Sequence, residues 1–153
     1  MNDRRTSVTI LMADDDEDDC ILAREALKES RLANDLLCVQ DGEELMDYLY
    51  RRGQYTEQSS SPRPGLILLD LNMPRKDGRE ALKEIKTNPN LRQIPVVVLT
   101  TSKVEEDIYR SYNLGANSFI TKPVTFESLL EVMQLLGKYW FGIVELPLEH
   151  FGD

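Results

Sequence analysis

The sequence predicts an α/β fold, a doubly wound parallel sheet of five strands in the order 2-1-3-4-5, held between two layers of helices as a three-layer sandwich. Strand-type apolar runs and helix-type periodicities alternate along the chain, and repeated βα units joined by right-handed crossovers leave few topologies open. The runs Ile10-Leu11-Met12-Ala13, Leu66-Ile67-Leu68-Leu69 and Val96-Val97-Val98-Leu99 are continuously apolar, as expected of central strands buried on both faces. Each runs into a polar residue: Asp14-Asp15-Asp16, Asp70 and Thr100 respectively. In an open parallel sheet, residues just past the carboxyl ends of the strands converge on one crevice, here at the switch point between strands one and three.

Strand one is expected over about 7–13 and a helix over about 17–30, with Ile21-Leu22 and Ala26-Leu27 on its apolar face and its acidic residues at the amino end, where they favour the dipole. Leu36-Leu37-Cys38-Val39 is strand two, and Asp41-Gly42 opens a helix through Leu45, Met46, Leu49 and Tyr50. Gly53 to Pro64, with Ser59-Ser60-Ser61-Pro62, is polar and turn-forming, hence a surface loop. Strand three covers 65–70, and a helix from about 78 carries Ala81-Leu82 and Ile85 before Asn88-Pro89 stops it. Strand four is 94–99, a fourth helix spans about 104–112 and ends toward Gly115, and strand five runs from Ser118 to Thr121. Thr125 caps a last helix reaching about 141.

The length of 153 residues is that of a single domain over 1–153, with a core over about 7–137 and a C-terminal extension over 138–153. No apolar run approaches the roughly 20 residues of a membrane span. The amino-terminal residues lead straight toward a strand without the apolar region of a signal peptide, which argues for the cytoplasm. Cys20 and Cys38 are the only cysteines, distant in sequence and outside any CxxC pattern; they are expected as reduced, buried thiols, and zinc is not expected. A formal net charge of −9 disfavours nucleic acid as a partner, since that affinity comes mainly from basic residues on phosphates. His150 is read as an exposed tail residue.

Asp14, Asp15 and Asp70 should stand close together in the crevice. Like charges this close oppose each other's ionisation unless a cation neutralises them. Mg²⁺ suits such a site, because it takes hard oxygen ligands, keeps several waters and is typically held by one or two carboxylates plus a phosphate oxygen. Thr100 at the end of strand four and Lys122 at the end of strand five could both reach an oxyanion beside the metal. The set fits phosphoryl transfer to a carboxylate, with Asp70 as nucleophile.

Asp14-Asp15, Asp70, Thr100 and Lys122-Pro123, in this order and at these strand ends, resemble the receiver domain of two-component response regulators, over about residues 7 to 137. The resemblance implies a flavodoxin-like receiver fold in which Asp70 accepts a phosphoryl group from a phosphohistidine on a sensor histidine kinase. It also implies Mg²⁺ held by Asp15, Asp70 and the main-chain carbonyl of Asn72, with Asp14 acting through water. Lys122 would pair with the phosphoryl group and Thr100 would hydrogen-bond it. Phe119 occupies the family's aromatic switch position. Asp70-Leu71-Asn72-Met73-Pro74-Arg75-Lys76-Asp77-Gly78-Arg79-Glu80, Pro95 through Ser102, the Gly53–Pro64 loop and Tyr139-Trp140 are similar to the stand-alone receivers that partner phytochrome-type histidine kinases.

Other readings of the acids fit less well. Asp14-Asp15-Asp16-Glu17-Asp18 with Glu25 imitates an EF-hand, but Asp19 stands where the sharp turn needs glycine. A Mg²⁺-dependent phosphohydrolase of the haloacid dehalogenase type would use Asp14 as nucleophile and Asp16 as acid/base; nothing after Lys122 supplies its later acidic pair, and Asp70 would have no role. A degenerate receiver acting as a binding scaffold is the remaining alternative.

The expected protein is therefore a phosphoacceptor rather than a conventional enzyme. Phosphorylation of Asp70 would draw Thr100 inward and let Phe119 follow, altering the face built by the fourth helix, strand five and the last helix. No output domain is read in the chain, so this face would bind a downstream protein, a phosphotransfer protein or another copy. Phe126, Leu129, Leu130, Val132, Met133, Leu135, Leu136, Tyr139, Trp140 and Phe141 form more than one apolar stripe. One stripe should cover the sheet and the remainder a twofold partner, giving a homodimer.

Overall fold

The computed structural model describes residues 9–29, 35–57, 61–100, 118–121, 125–131 and 133–134. Strand β1 (Thr9–Ala13) leads into helix α1 (Glu17–Glu29), and β2 (Asp35–Val39) leads into α2 (Gly42–Tyr50). After a short 3₁₀ turn at Gly53–Tyr55, β3 (Leu66–Asp70) precedes α3 (Gly78–Thr87), and β4 (Val96–Thr100) and β5 (Ser118–Thr121) complete the sheet. A last helix occupies 126–131 and 133–134. The strands are parallel and ordered β2-β1-β3-β4-β5, as the alternation of apolar runs and helical periods predicts.

The period of two along each central strand divides the core between the two faces of the sheet. Leu11, Ala13, Ile67, Leu69, Val96 and Val98 pack with Leu45, Met46, Leu82 and Ile85 of α2 and α3. Ile10, Met12, Leu66, Leu68, Val97 and Leu99 pack with Ala23, Ala26 and Leu27 of α1 and with Leu129 and Met133. Both faces of β1 and β3 are thus covered, which is why their sequences are continuously apolar.

Helix starts follow local chemistry. The Asp41 carboxylate accepts the Glu44 N–H at 2.8 Å to cap α2, and Asp77 accepts the Arg79 N–H at 2.7 Å to cap α3. Thr125 performs the expected capping, its hydroxyl accepting the Ser128 N–H at 3.0 Å while the Ser128 hydroxyl oxygen accepts the Thr125 N–H at 3.1 Å.

Several details differ from the sequence reading. Strand β4 begins at Val96 instead of 94, because the Ile94 N–H closes a turn onto the Leu91 carbonyl at 3.0 Å, and it extends to include Thr100. The loop after α2 is largely exposed among its described residues, as its polarity suggests, but it is anchored through Tyr55 and Ser61. Ser61 is buried, its hydroxyl donating to the Tyr55 carbonyl at 2.9 Å, and the rings of Tyr48 and Tyr55 pack with centroids 5.1 Å apart. The Tyr48 hydroxyl donates to the Pro62 carbonyl at 2.8 Å, and burial pushes its pKa up to about 12. The Tyr55 hydroxyl donates to Glu44.

Cys20 and Cys38 are not separate reduced thiols: they form a disulfide, with Cα atoms 6.6 Å apart. A separation of 18 residues carries no local signal of this pairing. The crossover lays the inner face of α1 over β2 and brings both side chains into the same layer. The expected fourth helix, Lys122 and the extension over 138–153 lie outside the described residues.

Candidate phosphoacceptor and metal site

The strand register builds the acid cluster. Ala13 pairs with Leu69, so the next residues on the two strands, Asp14 and Asp70, emerge side by side at the carboxyl end of the sheet. The Asp14 N–H continues the ladder outward by donating to the Val39 carbonyl at 3.0 Å. Asp15 comes next as the chain turns toward α1. One carboxylate oxygen from each of Asp14, Asp15 and Asp70 lies within 4.8 Å of those of the other two.

Asp14 and Asp70 are buried and Asp15 is exposed. Two carboxylates under the sheet end with a third at the rim make an all-oxygen donor set open on one side. This suits a hard divalent cation that retains water and shares an oxygen of a bound phosphoryl group. Such a cation would also offset the mutual repulsion of the close carboxylates.

Backbone hydrogen bonds fix the acids in place. Asp14 Oδ1 accepts the Asp16 N–H at 2.9 Å, and Asp16 Oδ1 accepts the Asp18 N–H at 2.9 Å, so successive Asx turns shape the approach to α1. Asp70 Oδ1 accepts the Asn72 N–H at 3.0 Å. The turn after Asp70 closes when the Gly78 N–H donates to the Leu71 carbonyl at 3.1 Å, while the Leu71 N–H donates to the Leu99 carbonyl at 2.9 Å. Asn72 is thereby held next to Asp70.

The remaining expected residues are placed by backbone register. Asp70 pairs with Leu99, which puts Thr100 one step beyond Asp70 toward the crevice. Thr100 in turn pairs with Thr121, and Val98 with Phe119. Thr100 and the end of β5 therefore lie at the same end of the sheet as the acids, with Phe119 two residues back along β5. Lys122 succeeds Thr121 in sequence and lies outside the described residues.

The sequence reading missed the support of the turn after Asp70. A Cβ at position 78 would overlap the Asp70 carbonyl oxygen, and one at position 42 would overlap the Lys76 carbonyl. Arg75, in the left-handed region at φ 64°, lies with its Nε 3.6 Å from Asp41 Oδ2 and Nη1 3.7 Å from Glu43 Oε1. The β3–α3 turn is thus braced against the amino end of α2. Asp77-Gly78 is a visible turn signal, but the close approach of Gly78 to Asp70 depends on the path of the whole turn.

The family model for the response regulator receiver domain matches residues 10–134. Response regulator Rcp1 of Synechocystis sp. is 46% identical over 138 residues, covering 90% of this chain and 92% of that protein. The crystal structure of the Mn²⁺-bound form of Rcp1 superposes with a TM-score of 0.75 at 45% identity, covering 87% of this chain and 94% of that one. The crystal structure of the phosphorylated cyanobacterial phytochrome response regulator RcpA gives a TM-score of 0.77 at 43% identity, covering 88% and 94%. Among the described residues, no helix is long and apolar enough to cross a membrane.

Proposed function

The chain belongs to the response regulator receiver domain family, and on that premise we propose that Asp70 accepts a phosphoryl group from a phosphohistidine on a sensor histidine kinase, assisted by Mg²⁺. The observation that carries the proposal is the meeting of the Asp14, Asp15 and Asp70 carboxylates within 4.8 Å at the ends of adjacent strands. Asp15, Asp70 and the Asn72 main-chain carbonyl would hold the ion, and Asp14 would act on it through water. Bound Mg²⁺ supplies charge neutralisation at the transferring phosphoryl oxygens. The chain's part is to hold Asp70 in line for attack and to present Thr100 and Lys122 to those oxygens.

In the transfer, a carboxylate oxygen of Asp70 forms a bond to phosphorus as the phosphorus–nitrogen bond to the kinase histidine breaks and the imidazole leaves. The haloacid dehalogenase reading would make Asp14 the nucleophile and leave Asp70 without a role. Similarity to a phytochrome response regulator supports a phytochrome-type kinase as the donor.

The signal is proposed to arise when the acyl phosphate draws Thr100 inward and Phe119 moves with it, altering the surface around β4 and β5 for a downstream protein, a phosphotransfer protein or a second copy. Leu129 and Met133 already cover the sheet, so the further apolar residues of the sequence beyond them are proposed to serve a homodimer.

The test is intact mass after incubation with acetyl phosphate and Mg²⁺, comparing the wild-type chain with Asp70→Asn. One phosphoryl unit gained by the wild type alone, and lost on chelation of Mg²⁺, supports the assignment. Equal labelling of Asp70→Asn, or loss of labelling only in Asp14→Asn, overturns it.

A further inference from the structure

We propose that the Cys20–Cys38 disulfide is a reversible thiol–disulfide site, opened by a dithiol reductant, whose state sets the affinity of the acid cluster for a divalent cation. The inference rests on the reading of Asp14, Asp15 and Asp70 as a cation site. Cys20 lies near the amino end of α1, just past the acid loop, and Cys38 lies one residue before the end of β2.

The bond flanks the acid loop on both sides. Val39, next to Cys38, accepts the Asp14 N–H at 3.0 Å, and Asp19, next to Cys20, donates its N–H to the Asp16 carbonyl at 3.1 Å. Between these anchors the loop is shaped by short-range Asx hydrogen bonds. The disulfide is a covalent restraint joining the start of α1 to β2, the strand that pairs with β1, from whose end the loop leaves. Opening it leaves the first turn of α1 freer to move relative to β2. A cation must then order the loop at its own expense, so it binds more weakly.

The position also suits exchange. β2 is an edge strand; Cys38 is half-buried there, whereas Cys20 is buried. A thiolate of the dithiol attacks the Cys38 sulfur, the Cys20–Cys38 bond breaks, and Cys20 leaves as a thiolate that takes up a proton. The second thiolate of the reagent then resolves the mixed disulfide, releasing Cys38 and an oxidised dithiol. Two electrons pass from the dithiol to the protein. In a reducing compartment a disulfide of this kind is made and broken rather than permanent.

Linkage fixes the sign of the reciprocal effect. If the oxidised chain binds the cation more tightly, the cation stabilises the oxidised form and makes the couple harder to reduce. A fivefold difference in affinity corresponds to a fall in midpoint potential of about 21 mV for this two-electron couple.

The experiment uses the full chain in two states, equilibrated with oxidised dithiol or reduced with a phosphine, with the state read as intact mass after alkylation. Mg²⁺ is then titrated calorimetrically into each. The expected result is no alkyl group on the oxidised chain, two on the reduced chain, and a Kd for Mg²⁺ about fivefold or more higher after reduction. A Cys20→Ser, Cys38→Ser double variant should bind Mg²⁺ like the reduced wild type and ignore the phosphine. Two alkyl groups on the chain held with oxidised dithiol overturn the proposal, and so does a double variant whose affinity still responds to the phosphine. Equal Mg²⁺ affinity in the two wild-type states overturns the redox link and leaves the cation site standing; absence of Mg²⁺ binding in both overturns the two together. If the double variant does not fold, the two wild-type titrations decide the matter.

Discussion

Gly78 packs against the main chain of Asp70 so closely that a Cβ at position 78 would overlap the Asp70 carbonyl oxygen. The end of β3 and the start of α3 therefore share one small volume, and the proposed phosphoacceptor sits on its wall. Gly78→Ala should push the strand end and helix apart. Overpacking of this kind costs about 1–3 kcal/mol, and acyl phosphate formation at Asp70 should slow along with it. Urea unfolding and the labelling rate with acetyl phosphate measure the two effects.

Asp15 offers a cleaner separation of binding from folding, because it is exposed and its replacement disturbs no core packing. Asp15→Asn should leave metal-free stability within about 0.5 kcal/mol. It should weaken Mg²⁺ binding about tenfold or more, the scale at which even outer partners of metal ligands act. For the wild type, Mg²⁺ at about a hundredfold over its Kd should add about 2.7 kcal/mol of folding stability. Thermal melts with and without Mg²⁺ check this; an equal gain in both proteins would remove Asp15 from the site.

Asp41 joins a helix cap to the brace of the turn after Asp70. Its carboxylate accepts the Glu44 N–H at 2.8 Å and lies 3.6 Å from Arg75. Asp41→Ala should cost about 1 kcal/mol, nearly all of it from the lost cap. The Arg75 contact adds little, since that guanidinium is largely exposed. Arg75→Ala should accordingly leave stability almost unchanged in the same urea titration.

Glu84 gives the fold an acid-sensitive tie between α2 and α3. Lys76 Nζ lies 2.9 Å from its Oε1 and the Tyr50 hydroxyl donates to its Oε2 at 2.8 Å. The Lys76 ammonium first, and the Tyr50 hydroxyl second, hold its carboxyl below the usual value of 4.5. A carboxyl whose pKa is lower folded than unfolded binds more protons in the unfolded chain, so its contribution is complete above the unfolded pKa and is lost as pH falls through the folded one. The stability difference between wild type and Glu84→Gln should thus be constant at neutral pH and shrink below about pH 4.5. Urea midpoints across that range test it, and a difference independent of pH would refute the tie.

The sequence made the sheet and the acid cluster legible because both are local consequences of burial. A central strand of a parallel sheet must be apolar at every position, so β1, β3 and β4 announce themselves without alternation. Their ends are marked by the first polar residue after each apolar run, which located Asp14, Asp70 and Thr100. Helix starts at Asp41 and Thr125 are also short-range events and were readable where they stand.

What the tertiary structure alone decided are approaches between segments whose contact no periodicity encodes. Strand register set Asp70 opposite Leu99 and Thr100 opposite Thr121. The α1 crossover brought Cys20 to Cys38, and the turn after β3 brought Gly78 onto Asp70 and Arg75 toward Asp41. The folding of the loop onto α2 buried Ser61 despite its polar neighbours. Periodicity reports which face of an element is buried, but not which residue of another element lies against it; that depends on crossover handedness, register and turn path, which exist only once the layers have packed.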